Sequence, residues 1–379
     1  MTTNTNHRQI IDFPLGEKLV LWVSDVNRYI LAEKWSAKII LQLNENTGAE
    51  IIARQIASED DLEEKEAFEL VRTIQKIWDE NLNGIQKEKS DPASNIQPDF
   101  DCYSRKKYVI NNMIFEVQYQ TEFAEWINHP KFEHLFAESG SEPHHHFIIG
   151  DSNGYLSIWV DGKHEGSWSH EENHFLSGRF SMKIIERIYQ KQEKEWMGIF
   201  HAAGISDGKG CLLFFGDSGN GKSTLSAIAM AADLDVLSDD FLPVESHTGL
   251  VHRFPAALSI KKNAYDLVKS MFPELMEAYE YENPAFGKTY RYLAPRDLEI
   301  VSVPCKAIIE VKYDPETEFS LEPLTPEQAF ARLVPDSWIN PSSENAKNFI
   351  NWFTGKKHLR LRYSNNEKMI AAIKSLFDE

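Results

Sequence analysis

Near the start of the chain, hydrophobic positions fall in short extended runs and then switch to helical spacing. Ile10-Ile11-Asp12-Phe13, Leu19-Val20-Leu21-Trp22-Val23 and Arg28-Tyr29-Ile30-Leu31 are brief runs rich in β-branched and aromatic residues, which predicts three strands. Ser36 to Leu43 and Ala49 to Ala57 predict short helices, with Asn44-Glu45-Asn46-Thr47-Gly48 as the turn between them. A longer helix is predicted from about Leu62 to Leu82, because Leu62, Leu70, Val71, Ile74, Ile77 and Trp78 recur at its period. Ser58, with Asp61 three positions on, is a capping-box candidate for that helix. Strands followed by three helices describe a small winged-helix-like α+β module over residues 1–83.

Gly84 to Asp101 is polar and without periodicity, which predicts a linker over residues 84–102 and a second domain over 103–379. From Tyr103 the chain turns aromatic and β-like, with strands expected at Tyr108-Val109-Ile110, Met113 to Val117, His146 to Ile149 and Tyr155 to Val160. A helix from Ser181 to Trp196 is expected to lead into the next strand. Pro143-His144-His145-His146 reads as a strand entry, since alternate side chains of an extended run face opposite sides and cannot converge on one ion. Trp126, Trp159, Trp168 and Trp196 are read as core.

Gly216-Asp217-Ser218-Gly219-Asn220-Gly221-Lys222-Ser223-Thr224 changes the picture, because it fits G-x-x-x-x-G-K-[ST] at every fixed position. A nucleotide triphosphate is a dense cluster of negative charge that needs many donors at close range. Glycines let backbone N–H groups curl around the phosphates, Lys222 reaches the β/γ oxygens, and the Ser223 hydroxyl ligates Mg²⁺. The apolar run Cys211-Leu212-Leu213-Phe214-Phe215 predicts a buried strand before the loop, and Thr224 to Ala232 predicts a helix whose N-terminus faces the anion. The bland alternative is a chance Gly-rich turn.

Composition then limits the classes. The 379 residues carry a formal net charge of −18, which disfavours nucleic acid as a partner, since such binding needs a cationic surface. A small anionic ligand in a local basic pocket, or a basic peptide, remains compatible. Three dispersed cysteines, Cys102, Cys211 and Cys305, argue for a reducing compartment and against a structural zinc site. Met1 to His7 has no apolar stretch of a signal peptide, and no run has the length of a membrane span. The expected location is cytoplasmic, with no membrane partner.

Leu234-Asp235-Val236-Leu237-Ser238-Asp239-Asp240 is an apolar strand ending in carboxylates, the oxygen ligands a hard cation needs beside a phosphate loop. Asp239 follows Lys222 by 17 positions, room for one short helix and a return strand. Adjacent carboxylates in different environments can divide labour, one toward metal and one toward a proton; a surface Asp-Asp turn is the alternative. His201 precedes Gly216 by 15 positions. Lys288, Arg291 and Arg253 are candidate phosphate clamps, and Arg291 is the one chosen for nucleotide binding.

Phe200-His201-Ala202-Ala203-Gly204, the loop Gly216 to Thr224, and Leu237-Ser238-Asp239-Asp240 occur in the order and spacing of the HPr serine kinase/phosphorylase catalytic domain. The chain resembles more closely the broader group of HPr-kinase-related kinases, which continue with segments similar to His252 to Lys261 and Gly287 to Pro295. The resemblance implies an α/β class: a mixed-sheet P-loop kinase domain of HPr kinase and PEP-carboxykinase type. It carries the catalytic base onto Asp239, a metal- or geometry-supporting role onto Asp240, and a place beside the carboxylate onto His201. Thr224 stands where HPr kinases usually have an acidic residue, and their later Glu-Ile-Arg-Gly signature has no counterpart, which sets HPr itself and reverse phosphorolysis apart from what the resemblance implies. The N-terminal module resembles the PqqD-like leader-peptide module of ribosomal peptide modification clusters, in its element order and in Asn27-Arg28-Tyr29-Ile30-Leu31 followed by Ser36-Ala37. Such modules bind a peptide as an added strand. A DNA-reading winged helix is the rival for this module, but Glu59-Asp60-Asp61-Leu62-Glu63-Glu64 repels phosphate.

The expected protein is an ATP- and Mg²⁺-dependent kinase of a peptide or small-protein serine, with catalytic Asp239, Asp240, His201 and Lys222 and metal ligands Ser223 and Asp240. A small-molecule hydroxyl kinase and a nucleotide-gated binding module without phosphotransfer are the alternatives, and an oligomer is compatible with either.

Overall fold

A computed structural model describes residues 8–59, 61–83, 101–138, 140–283, 287–296 and 302–378. Most of the expected linker, residues 84–100, and the side chain of Lys288 lie outside the described residues. In chain order come β1 (Ile10–Leu15), β2 (Lys18–Val23), β3 (Arg28–Glu33), α1 (Lys34–Asn44), α2 (Ala49–Glu59) and α3 (Glu64–Asn83). Next are β4 (Ser104–Ile110), β5 (Met113–Tyr119), α4 (Glu122–Asn128), β6 (His145–Ser152), β7 (Tyr155–Val160), β8 (Lys163–Ser169) and α5 (Asn173–Tyr189). Then follow β9 (Trp196–Phe200), β10 (Ala203–Ser206), β11 (Cys211–Phe215), α6 (Lys222–Ala231), β12 (Asp235–Ser238), β13 (Leu242–Glu245) and β14 (Leu250–His252). The remainder is β15 (Leu258–Lys261), α7 (Tyr265–Val268), β16 (Tyr281–Asn283), β17 (Lys288–Leu293), β18 (Ser302–Tyr313), β19 (Phe319–Pro323), α8 (Pro326–Leu333), β20 (Trp338–Ile339), α9 (Ser343–Thr354), β21 (Lys357–Tyr363) and α10 (Asn366–Asp378). The class is α/β with mixed sheets.

The chain divides into two compact units, and the first is discontinuous: Met1–Ser90 with Leu324–Pro335 and Ile339–Gly355. Its antiparallel sheet has the order β1-β2-β3. Leu21, Val23 and Ala32 pack with Ile39, Ile52, Val71, Ile74 and Trp78 of the three helices in one core. Tyr29 meets other partners, lying 6.2 Å from the ring of Phe330 on α8 and 5.5 Å from that of Phe349 on α9, edge-on to both. Asn27, in the left-handed conformation at φ 45°, accepts from the Trp22 indole at 2.9 Å and donates to the Ile339 carbonyl at 2.6 Å. The expected capping box does not form. Ser58 is still inside α2, whose Ile52, Ala53 and Ile56 are buried, and Asp61 has φ 54° before α3 opens at Glu64.

The second unit, taken by itself, holds three sheets. One has the order β4-β5-β6-β7-β8, with only β5–β6 parallel. Phe115, Val117, Phe147, Ile149, Leu156 and Ile158 of this sheet share a core with Leu176, Phe180 and Ile184 of α5. Trp196 and Trp159 are buried, and Trp126 and Trp168 pack against the same core in part. His145 opens β6, as the strand-entry reading expects, and the three histidines diverge: His144 Nδ1 accepts from Ile114 N–H, His145 contacts Asp161, and His146 contacts Glu116. The helix expected at Ser181 to Trp196 is displaced. It runs Asn173–Tyr189 and closes on Gln190 at φ 52°, while Trp196 opens β9, five consecutive buried residues with no helical period.

The large sheet has β12-β10-β11-β18-β14-β13-β9 in order, with β21 on β18 and β19 on β21. β11–β18 and β18–β21 are parallel and the other pairs antiparallel. A small antiparallel sheet, β15-β17-β16, completes the unit. Among the described residues no helix is long and apolar enough to cross a membrane.

The Tyr29 contacts give a direct test of the discontinuous unit. Tyr29→Ala is expected to lower stability in urea by about 2–3 kcal/mol, because it opens a cavity against two rings. Tyr29→Phe is expected to be neutral or stabilising, since the buried hydroxyl has no hydrogen-bond partner among the described residues. An unchanged midpoint for Tyr29→Ala would show that the aromatic cluster does not hold α8 and α9 in this unit.

Candidate active site

β11 is buried at all five positions and delivers the chain to Gly216 at its end. A Cβ at Gly216 would lie 2.6 Å from the Val311 carbonyl oxygen of β18, so no larger residue fits there. Gly221, the residue before α6, has φ 91°, a conformation that glycine adopts without strain. The loop is pinned from outside by Tyr313 N–H, which donates to the Asn220 carbonyl at 2.9 Å, and from within by Asn220 N–H, which donates to the Asp217 carbonyl at 3.1 Å. Ser223 and Thr224 lie in the first turn of α6. Lys222 is buried and its ammonium bonds the Gly216 carbonyl. Burial lowers its pKa, against the opposing pull of Asp240, Asp239, Asp217 and Asp336. From β15, Lys261 Nζ reaches Ser218 Oγ at 3.1 Å.

β12 ends at Ser238, whose Oγ accepts from the N–H of Asp240 at 3.4 Å and of Phe241 at 3.0 Å. This local turn follows from the preference of serine for bonding backbone donors just downstream. It sends the two carboxylates apart. Asp239 is 6% exposed; its Oδ1 accepts from Ser226 Oγ and its Oδ2 from the Ser259 N–H, both at 3.3 Å. Burial, and then the Asp240 charge, push its pKa up to about 6, despite help to the anion from the Ser223 hydroxyl, the Ser259 N–H and Lys222. Asp240 is different: 56% of its side-chain surface is open, and His201 Nδ1 lies 2.8 Å from Oδ1. The surrounding protein works to raise its pKa, but the hydrogen bond and charge of His201, with Lys131 and Lys222, hold it at about 2. His201, between β9 and β10, has its pKa raised by the Asp240 hydrogen bond against the effect of burial.

No protein-family model matches this chain, and no curated protein does. Function has to be argued from the geometry.

Of the expected residues, the loop, Lys222, Ser223, Asp239, Asp240 and His201 are interlinked in one place. Arg291 is engaged on a neighbouring feature: its Nη1 donates to the carbonyls of Leu275, Met276 and Ala278, and its guanidinium lies over the Tyr265 ring. Sequence reasoning missed five residues. Ser226 stands four positions after Lys222, so helical spacing alone places the two on one face of α6. Ser259 and Lys261 alternate with the buried Leu258 and Ile260 on β15, a period-2 signal. Lys131 and Asp336, whose charges act on Asp240 and on His201 and Lys222, carry no local signal.

The raised Asp239 pKa fixes a sign for stability. The native carboxyl holds its proton to higher pH than the unfolded one, so its contribution is fully present below 3.8 and is lost as pH rises through about 6. Asp239→Asn is expected to raise unfolding stability at pH 8 by about 2–3 kcal/mol, with the gap narrowing toward pH 4. Urea titrations at the two pH values measure it; a destabilised variant at pH 8 would contradict the assignment.

Proposed function

We propose that this protein is an ATP-dependent kinase that phosphorylates a serine hydroxyl of a peptide or small protein, in the manner of the HPr-kinase-related P-loop enzymes. One observation carries the reading: consecutive carboxylates at the end of β12 diverge, Asp239 into the first turns of the loop's helix and Asp240 to an accessible position beside His201. Nucleotide phosphates fit the loop, whose conformation depends on Gly216 and Gly221 and whose cations are Lys222 and Lys261. For the metal, the donor set is hard oxygen: the Ser223 hydroxyl and the Asp239 carboxylate. Among the described residues no group of three or more His, Cys, Asp or Glu side chains is placed to hold an ion. Hard oxygen donors suit Mg²⁺, which takes one or two protein oxygens and completes its shell with phosphates and water. When bound, the ion neutralises charge on the β- and γ-phosphates.

The roles of the two carboxylates are the reverse of those the resemblance implies. Asp239 is closed off and adjoins Ser223, so it supports the metal. Asp240 is open, kept ionised and oriented by His201, and accepts the proton of the attacking hydroxyl. A weakly basic carboxylate suffices, because the loose transition state of phosphoryl transfer asks mainly for alignment and charge stabilisation. The N-terminal sheet supports a PqqD-like role in ribosomal peptide modification. β3 is an edge strand, and the other edge, β1, carries Pro14, which lacks a donor; β3 is the edge for an added peptide strand. Substrate affinity would then come from effective concentration.

γ-Labelled ATP, Mg²⁺ and serine-containing peptides test the activity. Label is expected on serine and not on the alanine analogue, with transfer by Lys222→Ala lower by about 100-fold or more. ATP binding without any transfer would favour the nucleotide-gated module. A second measurement tests the metal side. At pH 5.5, Mg-ATP binding followed by calorimetry in buffers of different ionisation enthalpy is expected to release up to about one proton, since a cation beside Asp239 favours its ionised form. At pH 8 that release disappears, and Asp239→Asn removes it at pH 5.5.

A further inference from the structure

The small sheet β15-β17-β16 is two-faced. Leu258 and Ile260 of β15 and Leu293 of β17 point into the core with Leu275 and Tyr265. The opposite face follows from the register, Ser259 opposite Tyr292, Lys261 opposite Tyr290, and Tyr290 opposite Tyr281. Its ring centroids are continuous: Tyr290–Tyr292 5.4 Å, Tyr281–Tyr292 5.6 Å, Tyr281–Tyr290 6.2 Å and Tyr279–Tyr281 4.7 Å. One end of this row belongs to the site already described, because the Ser259 N–H holds Asp239 and Lys261 reaches Ser218. The other end is Tyr279, 68% exposed, next to Tyr281, whose hydroxyl donates to the exposed carboxylate of Glu133 at 3.3 Å.

We propose that this tyrosine face is the acceptor platform and that it selects a peptide with an arginine or lysine about three residues from the phosphorylated serine. The proposal rests on the kinase reading and names its substrate class. Two strand spacings separate β15 from β16, about 10 Å, and an extended peptide spans that in about three residues. A cation at that position lies over the exposed ring of Tyr279, which the buried Tyr281 backs, with the Glu133 carboxylate nearby, an arrangement that attracts guanidinium or ammonium. The net charge of −18 gives a cationic segment the favourable sign on approach. At the phosphate end the sign is opposite, with Lys261 and Lys222 for the nucleotide.

The test uses the full chain with Mg-ADP and short peptides whose acceptor serine is replaced by alanine, so that binding is read by calorimetry without turnover. Arginine, alanine or glutamate stands three residues to either side of the acceptor position. The arginine peptide is expected to bind about fivefold tighter than the alanine peptide on one of the two sides, and the glutamate peptide more weakly than either. Tyr279→Ala, at an exposed position, and Glu133→Gln are each expected to erase most of the arginine advantage. Equal affinities for the three peptides, or an arginine advantage that survives both substitutions, would overturn the platform. Failure of the kinase reading is read separately, as absence of label on the serine forms of the same peptides.

Discussion

Asp239 and Asp240 are neighbours in the chain, yet only one of them has water within reach. Two like charges on adjacent residues repel, and burial of one adds to its cost, so on acidification the pair takes its first proton at the buried member. The split between about 6 and about 2 is the electrostatic signature of that choice. What prevents the opposite choice is His201. Its Nδ1 and charge stabilise the Asp240 anion, while Asp239 is left with neutral donors, the hydroxyls of Ser223 and Ser226 and the N–H of Ser259, and the charge of Lys222, which acts on both carboxylates. Under the proposed function, a cation delivered with phosphates would reverse the balance at Asp239.

The mixed sheet is what holds this arrangement. β10 lies between β11 and β12, antiparallel to both, so the phosphate loop at the end of β11 and the carboxylates at the end of β12 emerge on the same side. β9 ends next to His201, and β10 begins two residues later, which brings the histidine to the same edge. β18 backs the loop in two ways. It runs parallel to β11 from Cys305 to Glu310, and just beyond, Val311 crowds Gly216 and Tyr313 ties down Asn220. A purely parallel order would put helices between these strands and lengthen the path between the loop and the carboxylates.

Local features were legible in the sequence, because local chemistry determines them. The three N-terminal strands and three helices follow period and turn residues, and the structure places them within a few residues of expectation. The Gly-rich loop and the Asp-Asp strand end stand out in the sequence because they fit a motif in which residue type and spacing are constrained together. The errors have equally physical causes. The Ser58 box failed because buried Ile52, Ala53 and Ile56 carry α2 through it, tertiary burial overriding a local cap. Trp196 was assigned to a helix because a five-residue buried strand has no period to reveal it. The alliance of α8 and α9 with the N-terminal strands had no signal, since Phe330 and Phe349 look like any helix core until Tyr29 is set against them. Arg291 looked free in the sequence and is bound to three carbonyls in the fold.

For an acidic chain, the proposed binding of a polyanion poses a charge problem, which screening reduces. At physiological ionic strength the Debye length is about 8 Å, so most of the surplus carboxylates are invisible to a phosphate in the loop. What that phosphate meets is Lys222, whose ammonium rests on the Gly216 carbonyl, and Lys261 on the far side of Ser218. Burial makes the free ammonium of Lys222 easier to deprotonate, and nearby carboxylates keep it charged. An arriving phosphate can replace a carbonyl that carries only a partial charge, so the loop gains a full ion pair for the loss of a dipole contact. Carboxylates within a Debye length of an approaching segment would disfavour anionic ones and leave cationic ones the better partners.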